Sequence, residues 1–471
     1  MNTTKDAIYD ARTLGYPKMG LLGVQHLFAM FGATVLVPIL TGLSISSTLL
    51  FAGCGTLLFH VLTKFKVPAF LGSSFAFLPG YFALTAMATQ DPTSAWYGLT
   101  KSQLLAYASV GVAISALFYL IVSALVKSCG VKRVMKFFPP VVTGPIIIGI
   151  GLVLSPVAVN SASTCWPVAI AGIVAVIVAA CFGKGMIKII PILIGVLASY
   201  LAAFVFGNCC GMEGAAINFG AIKDAAWIGL PVHWGDTAFA VFANEGNNFA
   251  RIVSAAIIVV PLCAATMMEH VGDVSAIGST INRNLFEEPG LHRTLLGDGA
   301  ATLLAALFGA PANTTYGENT GVLSLSKVYD PRVIRIAAVI AILLSFCPKF
   351  AAVIATLPAA TVGGVSFVLY GMISAVGVRN LIEHQVDFSK ARNMLICAIS
   401  IVCTLGISFS AAKGISFAIG KATFTLSGLA VGALMGIILN AILPGKDYEF
   451  APSEPNIKDA ERWGGEKAEA K

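Results

Sequence analysis

The sequence predicts an all-α polytopic membrane protein: fourteen transmembrane segments in a 7+7 inverted repeat, with short broken or extended elements in spans 3 and 10. Three observations carry that expectation. The 471 residues are 57% hydrophobic and only 11% charged, against about 25% charged in a soluble domain. Fourteen apolar stretches recur along the chain, most of them near the ~20 residues a helix needs to cross hydrocarbon. Three fragments of the first half return, in the same order, in the second.

The spans are expected at about 20–41, 45–63, 68–88, 102–126, 139–157, 165–183, 187–206, 251–276, 294–310, 313–327, 333–357, 361–378, 392–410 and 422–443. Charge placement supports the count. With the N-terminus inside, 24 of the 30 Lys and Arg residues fall in inside segments, and only Lys101, Lys223, Arg251, Lys349, Lys413 and Lys421 fall outside. That is the positive-inside bias, held in register to the last span. Losing one span in the middle would invert it. Both termini are therefore expected in the cytoplasm of a multi-pass cell-membrane protein, and the net charge of +7 follows from topology without a nucleic-acid partner. The loop at about 207–250, with Glu213, Asp224, Asp236 and Glu245, is expected outside, and 444–471 forms a charged cytoplasmic tail. Most of the ten cysteines lie in apolar spans, where they act as small hydrophobes. They show no metal-ligand spacing, and the Cys209-Cys210 pair is no disulfide framework.

The recurring fragments are specific in order as well as in kind. Gln25-His26 opens a helix, and Glu269-His270 opens another 244 residues later. Pro68-Ala69 begins PAFLGSSFAF, and Pro311-Ala312 begins PANTTYGENTG 243 residues later. Pro139 and Gly144 resemble Pro358 and Gly363. A duplicated unit of seven spans, being odd, must be inverted in its second copy. Paired Gly/Pro-interrupted segments in inverted halves are the pattern of secondary transporters, with the substrate near the midplane between them. Residues 68–77 and 311–322 are thus the corresponding broken elements. They must face protein or water, because lipid leaves their backbone groups unpaired.

Glu269 and Asp273 stand four residues apart and share a helix face. Two intramembrane carboxylates one turn apart are costly unless protonated, paired or hydrated, and burial beside a like charge favours the neutral acid that a proton carrier needs. The structural alternative is one hydrogen-bonded carboxylate and one at a helix end. His270 points about 100° away from Glu269 and reads as a packing or hydrogen-bonded histidine. His26 has the same kind of role in the first repeat. Asp298 lies between Gly297 and Gly299, which suggests close helix contact, and its role is structural or coupling. In the second broken element Glu318 is the ligand-reading residue, flanked by Tyr316, Gly317 and Asn319. In the first, Ser74 and Phe75 offer backbone groups and an aromatic face. Together these suit a flat neutral ring with alternating N–H donors and C=O acceptors, and suit an inorganic anion poorly.

The motifs QHLFAMFGATVLVP (25–38), PAFLGSSFAF (68–77), EHVGDV (269–274), GLHRTLLGDG (290–299) and TTYGENTGV (314–322) resemble the nucleobase–ascorbate transporters, and among them the bacterial uracil permeases. The family signature appears as Asn319-Thr320-Gly321 and, after four intervening residues, Ser326-Lys327, with serine for the usual threonine. The resemblance implies a core domain (20–127 and 251–357) and a gate domain (128–206 and 358–443), between the N-terminus 1–19, the loop 207–250 and the tail 444–471. Homodimers occur in such families. It implies that Glu269 and Glu318 hold the base, aided by backbone at Phe75 and Gly317, with proton coupling at Asp273 together with Glu269. His26, Ser74, Tyr316, Asn319 and Asp298 would support them. No cofactor is implied beyond the coupling proton. Glu318 is of the uracil type, whereas Asp273 and Asp298 resemble purine members, so xanthine or another oxopurine stands as the alternative to uracil. A sodium-coupled carrier or uniporter remains open. Isolated midplane carboxylates disfavour a channel. The lack of an activated Ser/His or Cys/His pair, a His-rich metal motif or a nucleotide loop disfavours an enzyme.

Overall fold

The computed structural model describes residues 7–89, 96–243, 248–411, 414–419 and 422–445. The expectations for Lys5, Glu245, Lys413, Lys421 and the tail from 446 onward lie outside the described residues.

The chain is mostly helical. It opens with α1 (Tyr16–Thr41) and α2 (Ile45–Leu62), followed by the strand β1 (Leu71–Ser73), α3 (Leu78–Thr85) and α4 (Lys101–Cys129). A short α5 (Val131–Met135) leads to α6 (Pro140–Ala162), α7 (Trp166–Phe182), α8 (Met186–Ile189) and α9 (Pro191–Ala203). After α10 (Phe219–Asp224) come α11 (Asn248–Val259), α12 (Cys263–Thr280), α13 (Leu291–Leu307), β2 (Asn313–Thr315) and α14 (Gly317–Ser326). The last part holds α15 (Pro331–Ser345), α16 (Pro348–Ala355), α17 (Ala359–Glu383), α18 (Ala391–Phe409), the hairpin β3 (Ile415–Ile419) and β4 (Ala422–Leu426), and α19 (Gly428–Ile442).

Among the described residues, eight helices are long and apolar enough to cross a membrane, or nine if one bent pair counts as a span. Large apolar side chains point outward from α7 (Ile170, Val174, Ile177, Val178) and α18 (Met394, Leu395, Val402, Phe409). An apolar exterior over a packed interior is what a lipid-facing helix presents.

Proline explains where several expected spans depart from one straight helix. Span 8 is α11 and α12 joined by a 3-10 turn at Val260–Leu262, because Pro261 has no N–H to continue the ladder. Span 11 is two helices, α15 and α16, bent by 88°, with Pro348 opening the second. Span 7 divides at Pro191 into α8 and α9. The fourteenth starts late: residues 422–426 pair with 415–419 as a hairpin, and the helix begins only after Ser427, whose side chain accepts from Ala430 N–H.

The two broken elements meet. Pro68 and Pro311 each disfavour helix in the residue before them, and the segments that follow are extended. β1 and β2 pair antiparallel, with Leu71 opposite Thr315, Gly72 opposite Thr314 and Ser73 opposite Asn313. Ser74 N–H donates to Ala312 O at 2.8 Å, and Tyr316 N–H donates to Phe70 O at 3.0 Å, so the ladder extends past both ends. Neighbouring helices satisfy the outward edges. Thr56 of α2 accepts from Leu71 N–H at 2.9 Å and donates to Leu71 O at 3.2 Å. Thr302 of α13 donates to Asn313 O at 2.8 Å, and the Asn313 amide donates to Phe51 O at 2.9 Å. The backbone of both extended segments is thereby paired within the protein, as a membrane-embedded segment requires.

Elsewhere α6 and α17 form a close antiparallel pair. A Cβ on Gly144, near the start of α6, would lie 2.5 Å from Leu381 near the end of α17; one on Gly363, near the start of α17, would lie 2.2 Å from Ala162 N at the end of α6.

Gly72 sets how closely β1 approaches its neighbours, since a Cβ there would lie 2.5 Å from the Tyr316 ring and 2.7 Å from Thr34 Oγ1. Overpacking of this kind costs about 1–3 kcal/mol. Gly72→Ala is therefore expected to lower the thermal unfolding midpoint in detergent, while Gly20→Ala, with nothing within 4 Å, leaves it unchanged.

Candidate functional site

The β1–β2 pair delivers two helix starts to one place. After Ser74 the chain turns through Phe75–Phe77 into α3, and after Tyr316 it enters α14. Neither start carries a side-chain cap. Free N–H groups at a helix start form a partial positive charge and are ready donors.

α12 closes the third side. Its residues separate cleanly by face: Met267, Met268, His270, Val271 and Val274 are buried, whereas Glu269 and Gly272 are exposed and Asp273 is half-buried. α14 does the same, with Gly317 exposed, Glu318 half-buried and Asn319 buried. The two open faces adjoin, since a Cβ on Gly317 would lie 3.4 Å from Asp273 Oδ1. Glu269, Asp273 and Glu318 are mutual electrostatic neighbours. Phe75 is half-buried and packs where the apolar clusters around Leu36, Tyr316 and Met267 meet. Glu269, Asp273, Gly317, Glu318 and Phe75 thus border one open cleft. Carboxylate oxygens there accept hydrogen bonds and the helix-start amides donate them.

The remaining sequence-predicted residues stand behind this rim. The Asn319 amide donates to His26 O at 3.1 Å and lies 3.1 Å from His26 Nδ1, tying α14 to α1. Tyr316 OH donates to Ser73 O at 2.8 Å and receives Thr34 Oγ1 at 3.3 Å. Ser74 is buried, and its hydroxyl has no hydrogen-bond partner among the described residues. Asp298 is fully buried on α13, 3.6 Å from His270 Nδ1. It does not reach the cleft. The glycines beside it meet other helices as anticipated: a Cβ on Gly297 would lie 2.7 Å from Phe59, and one on Gly299 2.6 Å from Tyr119.

Thr315 becomes distinctive only in the folded chain. Thr315 Oγ1 donates to Asp273 Oδ2 at 2.8 Å and lies 3.4 Å from His270 Nδ1. It joins a coupling candidate to the buried histidine, yet in sequence it is one hydroxyl in the run Thr314-Thr315-Tyr316. Pairing of Leu71 with Thr315 was the missing signal, because alternation along a strand aims Thr314 and Thr315 to opposite sides.

An exposed acidic cleft between broken helices inside a multi-pass bundle is the architecture of a membrane transporter rather than an enzyme. The comparisons agree. Residues 17–413 match the model of the Permease family. The uracil permease of Bacillus caldolyticus is 38% identical over 415 residues, covering 86% of this chain and 89% of that one. The putative pyrimidine permease RutG of Escherichia coli K12 is 36% identical over 409 residues, covering 86% and 87%. The chain belongs to this permease family, the nucleobase–ascorbate transporters. In fold it is similar to the transmembrane domain of the cyanobacterial bicarbonate transporter BicA, with TM-score 0.58 at 14% identity over 92% of this chain and 99% of that one. It is also similar to the murine anion transporter Slc26a9, with TM-score 0.59 at 12% identity over 91% and 68%.

The Asn319 amide makes two polar contacts from α14 to α1, and hydrogen bonds of this kind are each worth about 0.5–1.5 kcal/mol. Asn319→Ala is expected to lower the unfolding midpoint of the ligand-free protein. Asn319→Gln, whose amide sits one methylene further out, is expected to recover only part of it.

Proposed function

We propose that this protein is a proton-coupled symporter that imports a nucleobase, with uracil the favoured substrate, across the cell membrane. The observation that carries the reading is the convergence of Glu269, Glu318 and two uncapped helix starts on one cleft. A uracil ring presents N–H donors, which the two carboxylates accept. It also presents carbonyl oxygens, which the backbone N–H groups at Gly317 and Phe75 meet, while the Phe75 ring covers a face. Three neighbouring carboxylates oppose a free inorganic anion. The similar fold of the bicarbonate and anion transporters therefore does not transfer their substrates, since a fold hosts many sites. The names of the relatives, uracil and pyrimidine permeases at 36% to 38% identity, add support for a pyrimidine.

The mechanism follows from the two helices that line the cleft. With the cleft open outward, a proton neutralises a carboxylate of the Glu269/Asp273 pair and the base docks between Glu269 and Glu318. The core, spans 1–4 and 8–11, then moves against the gate, spans 5–7 and 12–14, and both cargoes leave inward. One positive charge moving inward gains roughly 2.3 kcal/mol per 100 mV, enough for about fiftyfold accumulation.

This reading includes the fourteen-span inverted repeat with cytoplasmic termini. Its support is the strand register: exchange by 243 residues carries the pair Leu71–Thr315 onto Thr314–Gly72, which is the neighbouring pair in the ladder. The reciprocal contacts of Gly144 and Gly363 across α6 and α17 add to it. Asp273, where purine members of the family resemble this chain, favours xanthine as the second candidate substrate.

Uptake of labelled uracil into proteoliposomes tests the proposal. Wild type is expected to concentrate uracil under an inward proton gradient, and a protonophore is expected to abolish accumulation. Glu269→Gln and Glu318→Gln should each reduce uptake by at least tenfold. Accumulation that survives the protonophore, or wild-type uptake by Glu269→Gln, would overturn it, and stronger competition by unlabelled xanthine than by uracil would reassign the substrate.

A further inference from the structure

The cytoplasmic segment before α1 makes an unusual set of contacts for a polar terminus. Ile8 N–H donates to Lys327 O at 2.9 Å, and Tyr329 N–H donates to Ile8 O at 2.8 Å, forming a parallel bridge to the linker after α14. Tyr9 OH donates to Ile281 O at 3.0 Å, the C-cap of α12. The Tyr9 ring lies edge-on to Tyr329 at 5.4 Å and beneath the Arg283 guanidinium at 4.9 Å. Ala11 N–H donates to Asp330 Oδ2 at 2.8 Å, and Arg332 bridges Asp10 at 2.9 Å and Asp330 at 2.8 Å. Beneath them Ala11, Met19, Val328 and Val333 form a small apolar cluster.

The contacts of Ile8 and Tyr9 fall at the ends of the two helices that carry the cleft, whereas those of Asp10 and Ala11 anchor the segment at the start of α15. Ile281 ends α12, which bears Glu269 and Asp273. Lys327 ends α14, which bears Glu318. Lys327 also holds a left-handed conformation with φ 55°, which a non-glycine residue adopts rarely, and the bond from Ile8 fixes its carbonyl. α14 is ten residues long, about 15 Å at 1.5 Å per residue, so a tilt at its inner end displaces Glu318 at the other. Local helix-end bonds hold each helix to itself. Among these contacts, those of the adjacent residues Ile8 and Tyr9 join the two ends to each other.

We infer that residues 8–12 are a clasp that sets the spacing of α12 and α14, with Tyr9 a positioning residue for the substrate site. The clasp is no pH switch. Hydrogen bonds from Arg12 hold the Asp10 carboxyl down at about 2, with Arg332 contributing. A carboxylate with a depressed value contributes above its unfolded value near 3.8 and is lost only as pH falls through 2, so Asp10 stays ionised at neutral pH. The inference deepens the transport reading and rests on it for its kinetic arm.

Full-length wild type, Tyr9→Phe, Tyr9→Ala and Asp10→Asn in nanodiscs test it by hydrogen exchange without ligand and by uracil uptake. Tyr9→Ala is expected to speed amide exchange at 324–330 and 279–283. It should also raise KM about fivefold, the equivalent of ~1 kcal/mol, with maximal rate retained. Tyr9→Phe, which keeps the ring against Arg283 and Tyr329, is expected to recover most of the KM. Asp10→Asn keeps the fold and loosens the segment partway. Unchanged exchange at 324–330 in Tyr9→Ala overturns the clasp, as does faster exchange with unchanged KM. If wild type takes up no uracil, the transport reading fails, and the exchange result alone then decides the clasp.

Discussion

Backbone amides at membrane depth must find partners in the protein, and this constraint orders everything near the cleft. Pro68 and Pro311 prevent helix where the two segments begin, so the freed N–H and C=O groups need another ladder. They find it in each other, through the β1–β2 register, and in Thr56 and Thr302 at the edges. The ladder is short because each strand soon reaches a helix start. What emerges past its ends is a pair of uncapped helix termini opposite a third helix that carries two carboxylates. The cleft is thus a by-product of solving a hydrogen-bonding problem in lipid, and its polarity follows from the solution.

The packing around it divides into support and rim. His26, Asn319, Tyr316, Ser73 and Thr34 knit α1, β1 and α14 together and are buried. Glu269, Asp273, Gly317, Glu318 and Phe75 keep contact with the cleft. A carboxylate placed on the supporting side, as Asp298 is, meets His270 instead of water. Position on a helix face, set by residue spacing along α12 and α14, decides which role a polar residue takes.

Much of this was legible in the sequence. Low charge and apolar stretches gave the membrane bundle, and the recurring proline-led fragments picked out the two elements that pair. Glu269 was separable from His270 by helix geometry alone, and the structure exposes Glu269 while burying His270. What the sequence concealed were features that depend on partners far away along the chain. The 88° bend between α15 and α16 hides in an apolar run where Pro348 is the one visible mark. The β3–β4 hairpin occupies residues apolar enough to pass for the start of a span. Thr315 looks like its neighbours until strand pairing fixes which way it points.

The ladder also bears on how the chain is made. Residues 69–73 leave the ribosome long before 312–316 exist, so β1 must wait for about half the protein before its partner arrives. Local groups also serve it: Thr56, fifteen residues away, engages both polar groups of Leu71. The His60 ring, nine residues away, meets Ala69 O at 2.9 Å. These two side chains reach β1 across short stretches of chain, so their bonds, unlike the β1–β2 ladder, need nothing from the second half of the protein.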